Sequence, residues 1–328
     1  MSLPKSPFAP SSSLPGAGEI VLSLLPPGRQ HLQTFSYQYP LKLIAPRPHT
    51  AQDDKHVTVA FLLTYGGGLV GGDQVNLKIE LQDATRLCLL TQGSTKIFKS
   101  AERSVVSKQT LDVKMGARAA LCYLPDPTQP FAESVYEQKQ TFYVEPDGSS
   151  NLLVLDWVSE GRRANGESWN LWSWKGRNEV REYDEQSRGR LLLRDAVMLH
   201  DEDISSTTLV ANSNDMGVFG TLIVYGPVFE RLAEFITEEF AAQPRIGAKN
   251  WNTDDSIGQG SPPTNAELSR QAAHEAGILW TAAKVRGIVL VKFGAKDLDG
   301  ARRWLGSLLK QEGTVERTFG HQALLCLR

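Results

Sequence analysis

Val75-Asn76-Leu77-Lys78-Ile79-Glu80-Leu81 sets an apolar side chain at every second position with a polar one between each pair. Successive side chains of an extended chain point to opposite faces, so this segment predicts a strand with one wet face and one buried face. The same period extends outward, interrupted by Gly, Pro, Asp and Asn. It predicts further strands at Arg86 to Thr91, Thr95 to Phe98, Ser107 to Lys114, Ala119 to Leu124, Ser134 to Val144 and Leu152 to Val158. Leu171 to Tyr183, Arg190 to Leu199, Ser206 to Ala211 and Val218 to Tyr225 continue it. Strands recurring every ~8 to 12 residues without intervening helices predict a mainly β chain, built as a sandwich, a barrel or a solenoid of sheets.

The pattern breaks at Pro227. Val228, Leu232, Phe235, Ile236 and Phe240 share one face of a helix expected over Pro227 to Ala241. Residues 244–265 turn polar, with Gly258, Gly260, Pro262 and Pro263, and read as an exposed loop. Gly277 to Ala282 and Ile288 to Phe293 flank Arg286-Gly287, a hairpin turn. A second helix is expected from Leu298 to Gln311 with Gly313 at its end, and Ala323 to Leu327 reads as a short closing strand. Residues 1–18 are rich in Pro, Ser and Gly and read as a flexible tail, leaving 19–328 as one domain. No repeat of fixed period is visible.

The 328 residues are 41% hydrophobic and 22% charged, enough to bury a large core. Thirty-five Lys and Arg against 37 Asp and Glu leave a net charge of -2, which argues against a nucleic-acid or membrane-surface partner. The apolar runs stay short of the ~20 residues that cross a bilayer. Cys88, Cys122 and Cys326 lack zinc-site spacing and form no disulfide framework, so a reducing, cytoplasmic setting is expected. The six histidines are dispersed, and no nucleophile elbow is present.

Four segments carry the remaining signal. Tyr65-Gly66-Gly67-Gly68-Leu69-Val70-Gly71-Gly72-Asp73 holds five glycines, but an acidic residue and a strand follow where a phosphate loop needs Lys, Ser or Thr and a helix. A tight corner between strands is the better local reading. Thr91-Gln92-Gly93-Ser94-Thr95-Lys96-Ile97-Phe98-Lys99 suits a turn leading into a strand. Leu124-Pro125-Asp126-Pro127-Thr128-Gln129-Pro130-Phe131 is a stiffened connection. Asp156 to Glu167 holds Asp156, Glu160, Arg162 and Glu167, of which the last two could pair across a turn; a surface salt bridge is the commoner fate of such groups.

Taken in order, these segments resemble the urease accessory protein UreD (UreH) family, through Gly67, Gly68, Gly71 and Gly72, then Thr95 and Lys96, then Pro125, Pro127 and Phe131, then Gly161 and Arg162 with Gly166-Glu167. The loop 244–265 and Tyr65 depart from that family's pattern. The resemblance implies a β-solenoid-like arrangement of non-planar sheets with two helices in the C-terminal half. It also implies a non-catalytic scaffold that binds urease apoprotein, UreF and, through UreF, the GTPase UreG, and that assists nickel delivery with no tightly bound cofactor.

Ni2+ binds imidazole and thiolate tightly, so a carrier that must release it needs weak oxygen ligands along a wet path. Asp73, Asp156, Glu160 and Glu167 are the expected transit ligands, with Lys96 and Arg162 as their charge partners. Partner docking is expected around the helices, at Phe235, Ile236, Trp304 and Leu308 unless these cover the sheet, and at one face of Trp169 to Trp174. The rival reading is a carbohydrate-active enzyme on a β-sandwich or β-solenoid, which needs two carboxyls across a cleft.

Overall fold

A computed structural model describes residues 14–184, 189–200, 215–243, 270, 273 and 277–328. The chain opens with β1 (Ala17–Leu25), β2 (Arg29–Tyr37), β3 (Leu41–Ile44), β4 (His49–Thr50) and β5 (His56–Thr64). Then follow β6 (Gly68–Leu69), β7 (Gln74–Leu81), β8 (Arg86–Leu90), β9 (Thr95–Ile97), β10 (Ser107–Met115), β11 (Ala120–Tyr123) and β12 (Thr128–Pro130). Next come β13 (Val135–Val144), β14 (Asn151–Ser159), β15 (Ser173–Glu182), β16 (Leu191–His200) and β17 (Val218–Tyr225). After helix α1 (Glu230–Ala241), the hairpin β18 (Leu279–Val285) and β19 (Ile288–Ala295) leads to α2 (Leu298–Glu312) and α3 (Thr314–Phe319). The chain is mainly β with few helices.

Two open sheets face each other. The first runs β16-β15-β13-β10-β7-β1-β2, the second β18-β19-β17-β14-β11-β8-β5-β3. From β7 onward the chain alternates between them, β7 to β8, β10 to β11, β13 to β14. Each strand lies parallel to its counterpart in the circuit before. The crossings stack: Gly116 N–H donates to Leu81 O, Ala84 N–H to Ala117 O, and Ala120 N–H to Thr85 O. Among the described residues no edge strand pairs with the opposite edge, so these sheets are open rather than closed into a barrel.

Burial explains the two kinds of strand. β7 buries every second residue, since its other face meets solvent, whereas β8, β11 and β14 are buried throughout. One face of the second sheet, with Leu62, Leu89, Leu121 and Val154, meets Ile20, Leu77, Leu111 and Phe142 of the first. Its other face, with Cys88, Cys122, Leu155 and Trp157, is covered by Leu232 and Ile236 of α1, Trp304, Leu305 and Leu309 of α2, and Phe319 of α3. Phe235, Ile236, Trp304 and Leu308 therefore cover the sheet.

Several sequence expectations are corrected. The first strand already pairs at Ala17 and Gly18, inside the expected tail. Ala323 to Leu327 is not a strand but lies in a 3-10 helix over His321–Leu327. Ala323, Leu324, Cys326 and Leu327 are buried while Leu325 is 40% exposed, a helical rather than an alternating pattern. Arg286 and Gly287 both take positive φ, as a tight two-residue hairpin turn requires. The expected strand at Ser206 to Ala211 and the loop 244–265 lie outside the described residues.

On the outer face of the first sheet, Glu179 is buried among Arg181 at 2.8 Å, Arg194 at 2.9 Å and Arg177 at 3.7 Å. Burial works to raise its pKa, but the guanidinium groups outweigh it and hold the carboxyl below its ordinary value. The folded state thus binds this proton more weakly than the unfolded chain. Its stabilisation is present above about pH 4.3 and is lost as pH falls through the lower folded value. Glu179→Gln should cost about 2 kcal/mol at neutral pH, below the usual buried-pair figure because two of the arginines are half exposed. The same substitution should flatten the acid limb of a urea-melt series run from pH 7 to 3.

Candidate functional site

The four motif segments occupy the same corner of successive circuits. β6 pairs with β9, β9 with β12 and β12 with β14, all parallel. Gly68, Lys96 and Gln129 are register partners at unequal sequence separations, which is why no fixed period is visible. Gly66 and Gly67 take positive φ in the turn before β6. A Cβ on Gly68 would stand 2.4 Å from Lys96 O, so only glycine lets the strands approach. Phe98 and Phe131 meet edge to face at 5.5 Å, and the Arg162 guanidinium lies 4.3 Å over the Phe131 ring.

Asp126 ties this corner to the helical layer. Its carboxylate accepts from Gly93 N–H at 2.8 Å, from Thr91 Oγ1 at 3.2 Å and from Arg302 of α2 at 2.6 Å. Thr91 Oγ1 in turn accepts from Asp126 N–H at 2.7 Å. In the sequence Asp126 reads as part of a stiff connection; an acid between two prolines, with Thr and Gly in the preceding motif, is the signal of its tie.

Beneath the corner, a polar belt crosses the space between the sheets. Gln140, Asn178 and Asp195 are in register across β13, β15 and β16 of the first sheet. Asp156, Thr221 and Lys292 are in register across β14, β17 and β19 of the second. The rows bond face to face: Asn178 Nδ2 donates to Asp156 Oδ2 at 2.7 Å, Thr221 Oγ1 to Asp195 Oδ2 at 3.0 Å, and Lys292 Nζ sits 2.5 Å from Asp195 Oδ1. Gln138 Nε2 donates to Asp156 Oδ1 at 2.7 Å, and Tyr136 OH to Gln138 Oε1 at 3.1 Å. Burial is the largest influence on Asp156 and raises its pKa. The hydrogen bonds from Asn178 and Gln138 oppose it, while Asp195 raises it and Lys292 lowers it. Gln140 Oε1 and Asn178 Oδ1 are buried without a hydrogen-bond partner. Buried carbonyl oxygens rarely stay unpaired, so these two suit water or a passing cation.

Three hollows follow one another along the belt. A cavity of ≈ 230 Å³ beside Tyr65, Gly66, Gly67 and Gly93 shares Leu62, Thr91 and Thr95 with an interior cavity of ≈ 20 Å³, room for about one water molecule. The interior cavity, lined by Gln109, Gln138, Gln140 and Asp156, shares Asp156 with a largely apolar groove of ≈ 480 Å³ beside Leu199, Phe219 and Leu279. Thr95, Pro125 and Thr128 of the motif corner line the interior cavity as well.

Of the four expected carboxylates, only Asp156 reaches this interior. Asp73 closes the glycine turn, accepting Val70 N–H at 3.0 Å. Glu160 bonds Ser168 and lies 3.5 Å from Arg163. Glu167 pairs with Arg162, Nε at 2.9 Å, and this bond holds its carboxyl below the ordinary value against burial. Lys96 is exposed and orients none of these acids, whereas Arg162 fixes Glu167. Gly161 fits because a Cβ would stand 2.6 Å from Glu167 O. Trp169 and Trp174 both point inward, donating to Met216 O and Thr128 Oγ1, and only Trp172 of the aromatic stretch is part exposed, against Arg103.

Among the described residues, no group of three or more His, Cys, Asp or Glu side chains could hold a metal ion. Burial pushes the Cys326 thiol up to about 12 and raises that of Cys122 as well, which disfavours thiolate. No helix among these residues is long and apolar enough to cross a membrane.

The profile of the UreD urease accessory protein family matches residues 16–325. The chain belongs to the UreD family. A ureD-like urease accessory protein of Schizosaccharomyces pombe is 32% identical over 82% of this chain and 84% of its own length. The urease accessory protein UreD of Sorangium cellulosum is 34% identical over 67% and 64%, and urease accessory protein 4 of Cryptococcus neoformans is 25% identical over 93% of both chains. UreD proteins are accessory rather than catalytic, so the carbohydrate-active reading falls away. What the family brings to the geometry is a place in the urease machinery for a chain whose motif corner and polar interior are contiguous.

Proposed function

We propose that this chain is a non-catalytic scaffold of urease maturation, acting in the cytoplasm, that passes Ni2+ toward urease apoprotein through the polar belt. The observation carrying this reading is the placement of Asp156, a single carboxylate bordering both the interior cavity and the open groove and surrounded by amides. A carboxylate already held by neutral amide donors offers a cation a stopping place without a trap, which is what transit demands. The alternation of parallel strands between the two sheets supports a β-solenoid-like winding, with the passage running across its circuits.

UreF is the proposed direct partner, with UreG joining through UreF. Exposed Tyr39, Tyr65 and Val70 beside the glycine turn, and exposed Leu279 at the groove, mark the surfaces a partner would cover. The chain expressed alone should therefore self-associate or precipitate and become soluble on co-expression with UreF, read by size-exclusion chromatography and pull-down. A stable lone monomer that never retains UreF would refute the scaffold reading.

A further inference from the structure

Lys292 is the one charged residue in Ile288-Val289-Leu290-Val291-Lys292-Phe293, yet its side chain is only 34% exposed. Its ammonium bonds Asp195 Oδ1 at 2.5 Å and donates to Thr221 Oγ1 at 2.9 Å, while Thr221 Oγ1 donates to Asp195 Oδ2, closing a ring of three. It borders the groove together with Asp156. In the facing row, Asn178, 1% exposed and next to Asp195, carries an unpartnered carbonyl oxygen; Gln140, two strands from Asp195, carries another and lines the interior cavity. The buried carboxylates of Asp156 and Asp195, the Thr221 hydroxyl and the unused Asn178 oxygen lie on neighbouring strands of the two rows and suit a hard or borderline divalent cation, and the Lys292 ammonium is bonded within that group.

We propose that this end of the belt is a divalent-cation seat formed by Asp156, Asp195 and the Asn178 oxygen, in which the Lys292 ammonium is the resident cation and must be displaced for an ion to pass. The proposal rests on the passage reading and adds its gate. A fixed ammonium at short range repels a second cation strongly in a partly desolvated site. It also keeps the seat from becoming a sink: an incoming ion gains only the difference between its own contacts and those of the lysine. Monovalent ions gain too little to displace it, which makes the gate selective by charge. Lys292 lies on the second sheet and Asp195 on the first, so the same pair clasps the open end of the sandwich, and the test must separate the two roles.

The full chain, co-purified with UreF if that is needed for solubility, should be titrated with Ni2+ calorimetrically. Lys292→Met should bind Ni2+ at least tenfold more tightly than wild type, Lys292→Arg should match wild type, and Lys292→Met with Asp195→Asn should return toward wild type. A folded Lys292→Met chain that binds Ni2+ no more tightly than wild type overturns the gate. Should Lys292→Met not fold, Asp195→Asn alone serves. It leaves the ammonium to pair with Asp156, so binding should weaken at least threefold, and unchanged binding overturns the proposal. The passage itself is judged separately by urease nickel content with Asp156→Asn. If that substitution blocks loading while Lys292→Met leaves Ni2+ affinity unchanged, the passage stands and the gate falls.

Discussion

Asp156→Asn is expected to lower the nickel content of urease at least tenfold, measured by mass spectrometry of metal in purified urease, while the accessory complex still forms in a pull-down. The substitution keeps the size of the side chain and removes its charge. A tenfold loss corresponds to about 1.4 kcal/mol, well within what one carboxylate contributes to a desolvated cation. The new amide would meet Gln138 Nε2 and Asn178 Nδ2, both donors, so one amide must turn. That reorganisation should cost roughly 1–3 kcal/mol of stability, visible as a lower melting temperature without loss of cooperativity. Glu167→Gln is the contrast. It breaks the Arg162 pair at the motif corner and should leave nickel content within about twofold of wild type, because Glu167 does not reach the cavities. Equal loss from both substitutions would assign the effect to folding rather than to ion passage.

The strands of the two sheets were legible wherever one side of the chain is wet. β7, β10 and β13 present a polar outer face, and β17 matches the expected Val218 to Tyr225 at both ends. β2 is not legible as a strand, because Arg29–Tyr37 places Gln, His, Thr and Ser among few apolar residues and buries only Gln30; its pairing with β1 makes it one. The motif corner was legible as four local segments but not as one place, since its unity lies in strand register between circuits of unequal length.

The belt was the least legible part. Its contacts join residues on different sheets, and Asp156 of β14 meets Asn178 of β15 only because the two sheets face each other. A partial signal existed: Tyr136, Gln138 and Gln140 alternate on the face of β13 that should be apolar, and Lys292 interrupts a hydrophobic strand. Polar residues at inward positions of two facing sheets mark a wet interior, and that inference needs the facing pair rather than either strand alone.

Asp126→Ala is expected to have the largest effect on stability, about 3–4 kcal/mol. Three donors converge on the Asp126 carboxylate, and Arg302 is mostly buried at 22% side-chain exposure. Removing the acid leaves that guanidinium uncompensated and strips the Gly93 N–H and Thr91 hydroxyl of their acceptor, so the loss exceeds that of an exposed pair. Denaturant melts of wild type, Asp126→Ala, Arg302→Leu and the double variant would give the coupling directly. The double variant should recover 1 kcal/mol or more relative to the sum of the singles, because it no longer buries a lone charge. Asp126 also lines the interior cavity, so its loss should open the motif corner to proteolysis at Gln92-Gly93 before global unfolding. If the two substitutions add without coupling, the bond between the motif corner and α2 is incidental, and the corner must then be held by its strand pairing alone.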